Sequence, residues 1–379
     1  MMSVYLDYNA SAPLRPQALA LMTQVLAETG NPSSIHAWGR KARSRVEVAR
    51  AQVANLIGAA AQDVVFTGSG TEANALCIHS AISAGFTRLI VNPTEHASVL
   101  ETVRHAGYPA EWLVIGADGL VRIDVLEQGL STGGPALVIV QFANSETGVI
   151  QPIEQIAEIC RRYGSWLPVD AVQVVGRMAI DVGQAQAAWG DSWALSAHKL
   201  GGPQGIGAAI NMSGRTLSPD LRGGGQERGL RAGTENVAAI AGFGAAAEEA
   251  SRDLDSTARQ GAWRDAALAR MQSAGALAIA PGAPKLPNVL AVGVEGWASS
   301  LQVMTLDLVG VMVSAGSACS SGKVTRSPVL DAMGLETLSS GSLRASGGWA
   351  TTQADWVRFT DAWIEAFHAY RSRRQERAA

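Results

Sequence analysis

The chain has 379 residues, of which 47% are hydrophobic and 17% charged, and its formal net charge is -3. These values predict two or three domain-sized units around large buried cores and exclude extended disorder. The small net charge gives no field that would favour nucleic acid or an anionic membrane surface. The three cysteines, Cys77, Cys160 and Cys319, match no zinc site and no disulfide framework, and no apolar run reaches transmembrane length. We therefore expect a protein without a bound metal, located in the reducing cytoplasm.

Short β-rich runs alternate with helical stretches from the N-terminus to about residue 210. Helical periodicity covers Arg40–Ile57, Glu72–Ala84 and Pro152–Tyr163. This alternation predicts an α/β fold with a mostly parallel sheet that is covered on both faces. The predicted strands are Val4–Tyr8, Val64–Thr67, Arg88–Val91, Trp112–Ile115, Ala136–Phe142, Trp166–Val169, Trp193–Ser196 and Ile206–Ile210.

The sequence changes character from about Ala245. A long polar helix is predicted over Glu248–Ala274, then strands over Asn288–Val294 and Val311–Ser314, and a final helix from Thr351. This order predicts a smaller α+β domain appended to the large one. We expect the large domain to span residues 16–249 and the small domain to combine residues 1–15 with 250–379.

The turn Ser69–Thr71 is the first candidate site. A β-rich run ends at Thr67, and a helical pattern begins near Glu72. Free backbone N–H groups at a helix start, with two hydroxyl groups nearby, can bind a phosphate group. The alternative is an ordinary capped helix after a tight turn, which is common in α/β proteins.

Two more candidates follow the ends of predicted strands. Asp170 comes directly after Trp166–Val169, at the position where open α/β sheets bind ligands. Its carboxylate could keep a pyridine nitrogen protonated, although a helix N-cap is the simpler alternative. Lys199 follows Trp193–Ser196 among apolar and glycine residues. A lysine there can form a Schiff base with a carbonyl cofactor, whereas an ordinary loop lysine would only be solvated.

A histidine also follows a predicted strand. His96 comes after Arg88–Val91 within a short polar turn. Its imidazole could stack on an aromatic cofactor and relay protons. The alternative is a hydrogen-bonded polar residue without a catalytic role.

Taken together and in this chain order, the motifs resemble the cysteine desulfurase family of the NifS/IscS kind, which are fold-type-I pyridoxal-phosphate enzymes. The resemblance runs from Tyr5–Pro13 to Arg344 and implies a large, mostly parallel, seven-stranded type of sheet with a smaller α+β domain. The motifs that carry it are Thr94–His96, Val169–Gln173, Ser196–Lys199, Gly223–Arg228, Arg231–Thr234 and Gly316–Ser321.

The resemblance implies a role for each matching residue. Lys199 would hold the cofactor as a Schiff base and move protons at the substrate Cα, Asp170 would pair with the ring nitrogen, and His96 would stack on the ring. Gln173 would contact the phenolic oxygen, near which Asn144 and Ser145 are also expected. The implied phosphate ligands are Gly70, Thr71, Ser196, His198 and, from the other subunit of a homodimer, Thr234. Arg344 would bind the substrate carboxylate, with Asn31 nearby.

Cys319 selects the reaction among those that pyridoxal phosphate permits. It lies among small residues between glycines, which favours an exposed segment that can move, whereas Cys77 and Cys160 lie in apolar helical stretches and are predicted to be buried. The resemblance implies that its thiolate takes sulfur from L-cysteine as a persulfide and leaves L-alanine. The length of the loop before Ser327 resembles that of the NifS/IscS branch, which delivers sulfur to an acceptor or scaffold protein for iron–sulfur cluster or thiocofactor assembly.

The match to the family pattern has departures. Ser145 stands where the family has asparagine, Trp349 stands where it has a second arginine, and Val324–Arg326 replaces a Leu-Glu-Pro segment. The alternatives are a selenocysteine lyase or another pyridoxal-phosphate transferase, or a non-catalytic paralogue.

Overall fold

The computed structural model describes residues 3–183, 189–316 and 326–378. The strands are β1 (Val4–Tyr5), β2 (Val64–Thr67), β3 (Leu89–Val91), β4 (Ala110–Trp112), β5 (Leu137–Ile139), β6 (Pro168–Asp170), β7 (Ser192–Ser196), β8 (Gly207–Asn211), β9 (Leu277–Ala278), β10 (Val289–Gly293), β11 (Val311–Met312) and β12 (Ser342–Ser346). The helices are α1 (Pro16–Leu26), α2 (Ala37–Asn55), α3 (Gly70–Ser83), α4 (Ala97–His105), α5 (Ile123–Gly133), α6 (Ile153–Arg162), α7 (Val237–Arg252), α8 (Leu254–Ala274), α9 (Ser299–Leu308), α10 (Pro328–Ala332), α11 (Glu336–Ser339) and α12 (Gln353–Ala378).

The central sheet has the strand order β4-β3-β5-β6-β7-β8-β2. Strands β4, β3 and β5 pair in parallel, as do β6 and β7. The two groups join where Leu137 bridges Trp166 and where Val138 N donates to Trp166 O at 2.8 Å. Strand β8 runs antiparallel to both β7 and β2. The prediction of an α/β fold with a mostly parallel sheet of seven strands is confirmed.

Alternate residues of the central strands enter different cores. Leu89 and Val91 pack with Val99 of α4, whereas Ile90 belongs to the cluster that contains Leu126 of α5 and Ile156 of α6. Because successive side chains of a strand point to opposite faces, this division shows that helices cover both faces of the sheet. Because both faces of these strands are buried, their sequences are apolar rather than alternating between apolar and polar residues.

A second core lies against a smaller antiparallel sheet of order β12-β10-β9. It contains Val4 and Leu6 from the N-terminus together with Trp356 and Trp363 of α12. Strand β1 pairs in parallel with β11, which brings the N-terminus to this part of the molecule. We propose the domain division given above on this basis, although its boundary at residues 249 and 250 falls inside α7.

The structure corrects two of the predicted elements and adds a strand that was not predicted. The helix predicted over Glu248–Ala274 is two helices, α7 and α8, which meet at Asp253. Asp253 Oδ2 accepts a hydrogen bond from Arg15 Nη1 at 2.5 Å, a contact made by a residue far away in the sequence. The strand predicted at Trp112–Ile115 ends at Trp112, and β12 was not predicted at all. Among the described residues no helix is both long and apolar enough to cross a membrane.

Candidate active site

A cavity of about 530 Å³ opens beside the carboxyl ends of β6 and β7. This is the edge at which open α/β sheets bind ligands, because the loops that follow the strands converge there. The predicted site residues that line it are Gly70, Thr71, His96, Asn144, Ser145, Asp170, Gln173, Ser196, His198, Lys199 and Arg344.

Three predicted residues are not among those lining this cavity. Asn31 is exposed, and its Oδ1 accepts from Ser33 N at 2.9 Å in a local turn. Thr234 is exposed beside a separate cavity of about 230 Å³. Cys319 lies outside the described residues. The roles given to these three residues stay predictions.

Lys199 lies at the end of a short 3-10 turn that follows β7 directly. Its Nζ donates to Asn9 O at 2.6 Å and to Ala10 O at 2.9 Å. The backbone of the N-terminal segment therefore positions the amine at the wall of the cavity. Asn9 was not predicted, because no local pattern connects it with a lysine 190 residues away.

Asp170 is the last residue of β6 and is buried. Its Oδ2 accepts from Asn74 Nδ2 at 2.9 Å, and its Oδ1 accepts from Val172 N at 3.0 Å. Both hydrogen bonds are directed to the carboxylate and fix its orientation. A carboxylate held in this way can pair with a protonated ring nitrogen.

His96 is the N-cap of α4 and is connected to Asp170 through two side chains. Its Nδ1 accepts from Ser98 N at 3.1 Å and lies 2.8 Å from Ser98 Oγ, which accepts from Asn74 Nδ2 at 3.1 Å. Since Nδ1 accepts a backbone N–H, a neutral ring carries its proton on Nε2. Asn74, which bridges Ser98 and Asp170, was not predicted. Asn74 lies one turn into α3, so its closeness to the candidate turn at the start of that helix could have indicated it.

Glu95, directly before His96, is buried and lines the same cavity. Burial, and secondarily the charge of Asp170, raise its pKa well above the usual range. Its Oε1 accepts from Asn92 Nδ2 at 3.0 Å and from Gln141 N, whereas Oε2 is buried without a hydrogen-bond partner in the described part of the chain. The raised pKa lessens the negative charge that Glu95 adds beside Asp170.

The opposite end of the cavity is shaped for an anion. Helix α3 begins at Gly70, and Ser69 Oγ caps it by accepting from Glu72 N at 3.1 Å. A Cβ at Gly70 would lie 3.0 Å from Ser196 Cβ and 3.2 Å from Val172 Cγ2, so glycine preserves the floor of this end. The first amides of the helix have no partner within it and are available to a phosphate group.

His198 lies beside this anion-binding end. Burial, together with the charges of Lys199 and Arg177, lowers the pKa of His198 to about 4. The ring is therefore neutral at pH 7, and its Nδ1 lies 3.3 Å from Ser11 Oγ. A neutral imidazole can donate one hydrogen bond to a phosphate oxygen.

Arg344 lies on β12 and is 3% exposed. Its Nη2 donates to Asp7 Oδ1 at 2.6 Å, and its Nη1 donates to Ser145 O at 3.1 Å. Its Nε is buried with no hydrogen-bond partner within the described ranges. A buried guanidinium donor without a partner at the cavity wall suits an anionic ligand such as a carboxylate. Asp7 was not predicted.

The turn after β5 is held by Asn144. Its Oδ1 accepts from Glu146 N at 2.9 Å and from Thr147 N at 2.8 Å, and its Nδ2 donates to Thr94 O at 3.1 Å. These hydrogen bonds use most of the donors and acceptors of the Asn144 side-chain amide, which therefore holds the turn in place. Ser145, the residue that departs from the family pattern, lines the cavity beside it.

The cavity offers a group for each part of pyridoxal phosphate. Lys199 has an amine for its aldehyde, Asp170 has a buried carboxylate for its ring nitrogen, and the start of α3 has backbone amides for its phosphate. When bound, this cofactor supplies an electron-withdrawing ring that stabilises negative charge at the substrate Cα. The fold and the site together define a pyridoxal-phosphate enzyme of fold type I, as the sequence predicts.

The comparisons with known proteins give the family. The sequence model described as aminotransferase class-V matches residues 4–359, and the chain belongs to this family. A protein named cysteine desulfurase from Cereibacter sphaeroides is 39% identical over 373 residues, covering 94% of this chain and 93% of that protein. "Cysteine desulfurase 2" of Trichormus variabilis is 38% identical over 364 residues, covering 94% of this chain and 90% of the relative.

Solved structures agree with this assignment. A NifS-like protein from Rickettsia africae has a TM-score of 0.88 at 29% identity and covers 97% of this chain and 99% of its own. A structure described as SspA in complex with cysteine has a TM-score of 0.78 at 28% identity, covering 91% of this chain and 98% of its own. The resemblance to cysteine desulfurases of the NifS/IscS kind is thereby confirmed.

Proposed function

We propose that the chain is a cysteine desulfurase, which converts L-cysteine to L-alanine and transfers the sulfur to its own Cys319. One observation carries the proposal: Lys199, Asp170 and Arg344 meet in one cavity whose other end is built for a phosphate group. The relatives named cysteine desulfurase support it over nearly the whole chain.

Each residue has a defined task in this reaction. Arg344, which lines the cavity, binds the substrate carboxylate, and Lys199 takes and returns the proton at the substrate Cα. The Cys319 thiolate then attacks the substrate sulfur. The carbon–sulfur bond breaks with its electron pair on carbon, and that carbon takes a proton to become the methyl group of alanine. The sulfur stays on Cys319 as a persulfide.

The active form is proposed to be a homodimer. Within one chain, Thr234 is exposed and lies outside the main cavity, as expected for a residue that serves the phosphate end of another subunit. Asn31, which is exposed in this chain, is assigned to the substrate side near Arg344 on the family resemblance. Arg231, three residues before Thr234, donates to Glu72 Oε1 at 2.8 Å, which anchors this segment beside the start of α3.

The sulfur acceptor is proposed to be a separate scaffold or carrier protein for iron–sulfur cluster or thiocofactor assembly, in the cytoplasm. The persulfide must be passed on, because the next turnover requires a free thiolate. Cys77 and Cys160 are buried free thiols and are not placed to receive it.

The test compares Cys319→Ala with the matched control Cys77→Ala. Burial raises the pKa of Cys77 to about 12, so this thiol is not a nucleophile at neutral pH. We expect Cys319→Ala to keep the yellow cofactor absorbance and to form no alanine from L-cysteine with a reductant, while Cys77→Ala keeps its turnover. Desulfuration by Cys319→Ala at the parent rate would refute the thiol mechanism. Activity of that variant on selenocysteine alone would favour the selenocysteine lyase alternative.

A further inference from the structure

Arg177 lies directly behind the active-site cavity without lining it. Its side chain is buried, and its hydrogen bonds within the described part of the chain all go to neutral oxygens. Nη1 donates to Gln173 Oε1 at 2.6 Å and also to Asn9 Oδ1. Nη2 donates to Tyr8 O at 3.2 Å and to Lys199 O at 3.3 Å.

A buried arginine normally pairs with a carboxylate, because an isolated charge is costly to remove from water. Within the described ranges no carboxylate lies at salt-bridge distance from Arg177, in contrast to buried Arg50, which pairs with Glu227 at 2.7 Å. Burial, followed by the charge of Arg344, lowers the pKa of Arg177 to about 9. The guanidinium therefore keeps its charge at pH 7.

The guanidinium fixes the orientation of the Gln173 amide. An arginine has only donors, so the atom of Gln173 that faces Nη1 must be the oxygen. The amide nitrogen then lies on the other side, where Nε2 donates one hydrogen to Asn9 O at 3.2 Å. The second hydrogen of Nε2 remains for a group in the cavity that Gln173 lines. If the Gln173 amide were rotated by 180°, its NH2 group would face the Nη1 donor of Arg177, and no hydrogen bond could form between them.

The same guanidinium also holds Asn9. Because Nη1 donates to Asn9 Oδ1, Asn9 Nδ2 is left to donate to Ser145 O at 2.8 Å. Asn9 O in turn accepts from Lys199 Nζ at 2.6 Å and from Gln173 Nε2. One buried charge thus arranges the cofactor lysine, the glutamine and the backbone that joins them.

We propose that Arg177 is a positioning residue that aims the Gln173 amide N–H at the phenolic oxygen of bound pyridoxal phosphate and holds Asn9 against Lys199. This inference rests on the proposed function for the identity of the cofactor. Loss of Arg177 leaves the phenolic oxygen without an oriented donor and removes a nearby positive charge. Both changes make the bound cofactor more basic.

The experiment titrates the visible absorbance of the holoenzyme against pH without substrate. We expect its midpoint to rise by about one to two pH units in Arg177→Met, the equivalent of one hydrogen bond to a charged group. Arg177→Lys keeps a charge but has no fork to hold two amides, so its midpoint should rise by a smaller amount. Other charged and titratable groups lie near this network, and all variants retain them: Lys199, His198, Arg344, Asp170, Asp7, Glu95, Glu146 and Tyr8.

Arg50→Lys is the matched control, because Arg50 is an equally buried arginine outside the cavity, and its midpoint should stay at the wild-type value. A folded, cofactor-loaded Arg177→Met with an unchanged midpoint would overturn the inference. If that variant does not fold, an unchanged midpoint in Arg177→Lys overturns it equally. Alanine formation by the wild-type enzyme is measured separately, so failure of the proposed function is recognised independently of these titrations.

Discussion

Ser327 anchors the chain just after the segment that carries Cys319. Its hydroxyl donates to Glu146 Oε2 at 2.6 Å and accepts from Leu330 N at 3.2 Å as the N-cap of α10. Both Ser327 and Glu146 are buried, and the next residue, Pro328, lines the active-site cavity. We predict that Ser327→Ala destabilises the protein and lowers its turnover, because it releases α10 from the turn that contains Ser145.

The magnitude follows from the two hydrogen bonds. Loss of a serine N-cap costs about 1 kcal/mol. Leaving a buried acceptor without its donor costs about 1–3 kcal/mol more. We therefore expect the free energy of unfolding to fall by about 2–4 kcal/mol in urea titrations. Ser339→Ala is the matched control: Ser339 is also buried, and its hydroxyl donates to the carbonyl of Ser327 at 3.1 Å without contacting Glu146. That variant should lose about 1 kcal/mol.

The difference between the two variants should depend on pH. Burial raises the pKa of Glu146, and the Ser327 hydrogen bond opposes this effect. A raised folded-state pKa means that the stability contributed by Glu146 is complete below its unfolded pKa and is lost as pH rises through the folded pKa. Removing Ser327 raises the folded pKa further, so the deficit of Ser327→Ala should be largest at neutral pH and shrink at pH 4. Equal, pH-independent losses in Ser327→Ala and Ser339→Ala would show that this reasoning is wrong.

Two further predictions concern ionisable groups away from solvent. Glu227 accepts from Arg50 at 2.7 and 2.8 Å and from Phe66 N at 2.9 Å. Glu227→Gln should therefore lower the free energy of unfolding, measured in urea, by about 3–5 kcal/mol. The control Glu72→Gln removes a charge from a partly exposed ion pair and should lower it by no more than about 1 kcal/mol. The depressed pKa of His198 means that its contribution to stability is complete above its unfolded pKa and is lost as pH falls towards 4. His198→Gln should therefore flatten the loss of stability between pH 7 and pH 4, and a variant as acid-sensitive as the parent would contradict the assignment.

The parts of the site that the sequence could predict are those fixed by local patterns. Asp170 and Lys199 each follow an apolar strand, and parallel neighbouring strands bring their carboxyl ends together. The start of α3 follows from a strand, a turn and a capping serine within a few residues. Each of these arrangements lies within a short segment of the chain, so the local sequence is enough to predict it.

The residues that were missed act across long separations. Arg177 and Asn9 are 168 residues apart, and Arg344 and Asp7 are 337 residues apart. Strand β12, which carries Arg344, is a five-residue run with two serines and an arginine, and it is recognisable as a strand only when paired with β10. Partners of this kind are selected by tertiary packing, which no local periodicity encodes.

Three of the missed residues, Asp7, Tyr8 and Asn9, are consecutive, and their contacts explain how the site is assembled. Asp7 holds Arg344, Tyr8 O and Asn9 hold Arg177, and Asn9 O holds Lys199. The strand just before them, β1, pairs with β11 beside the smaller core. The same short stretch therefore positions both Arg344 on the small sheet and Lys199 beside the large one. Displacing it must disturb both at once, so the distance between Arg344 and Lys199 depends on the docking of the N-terminus.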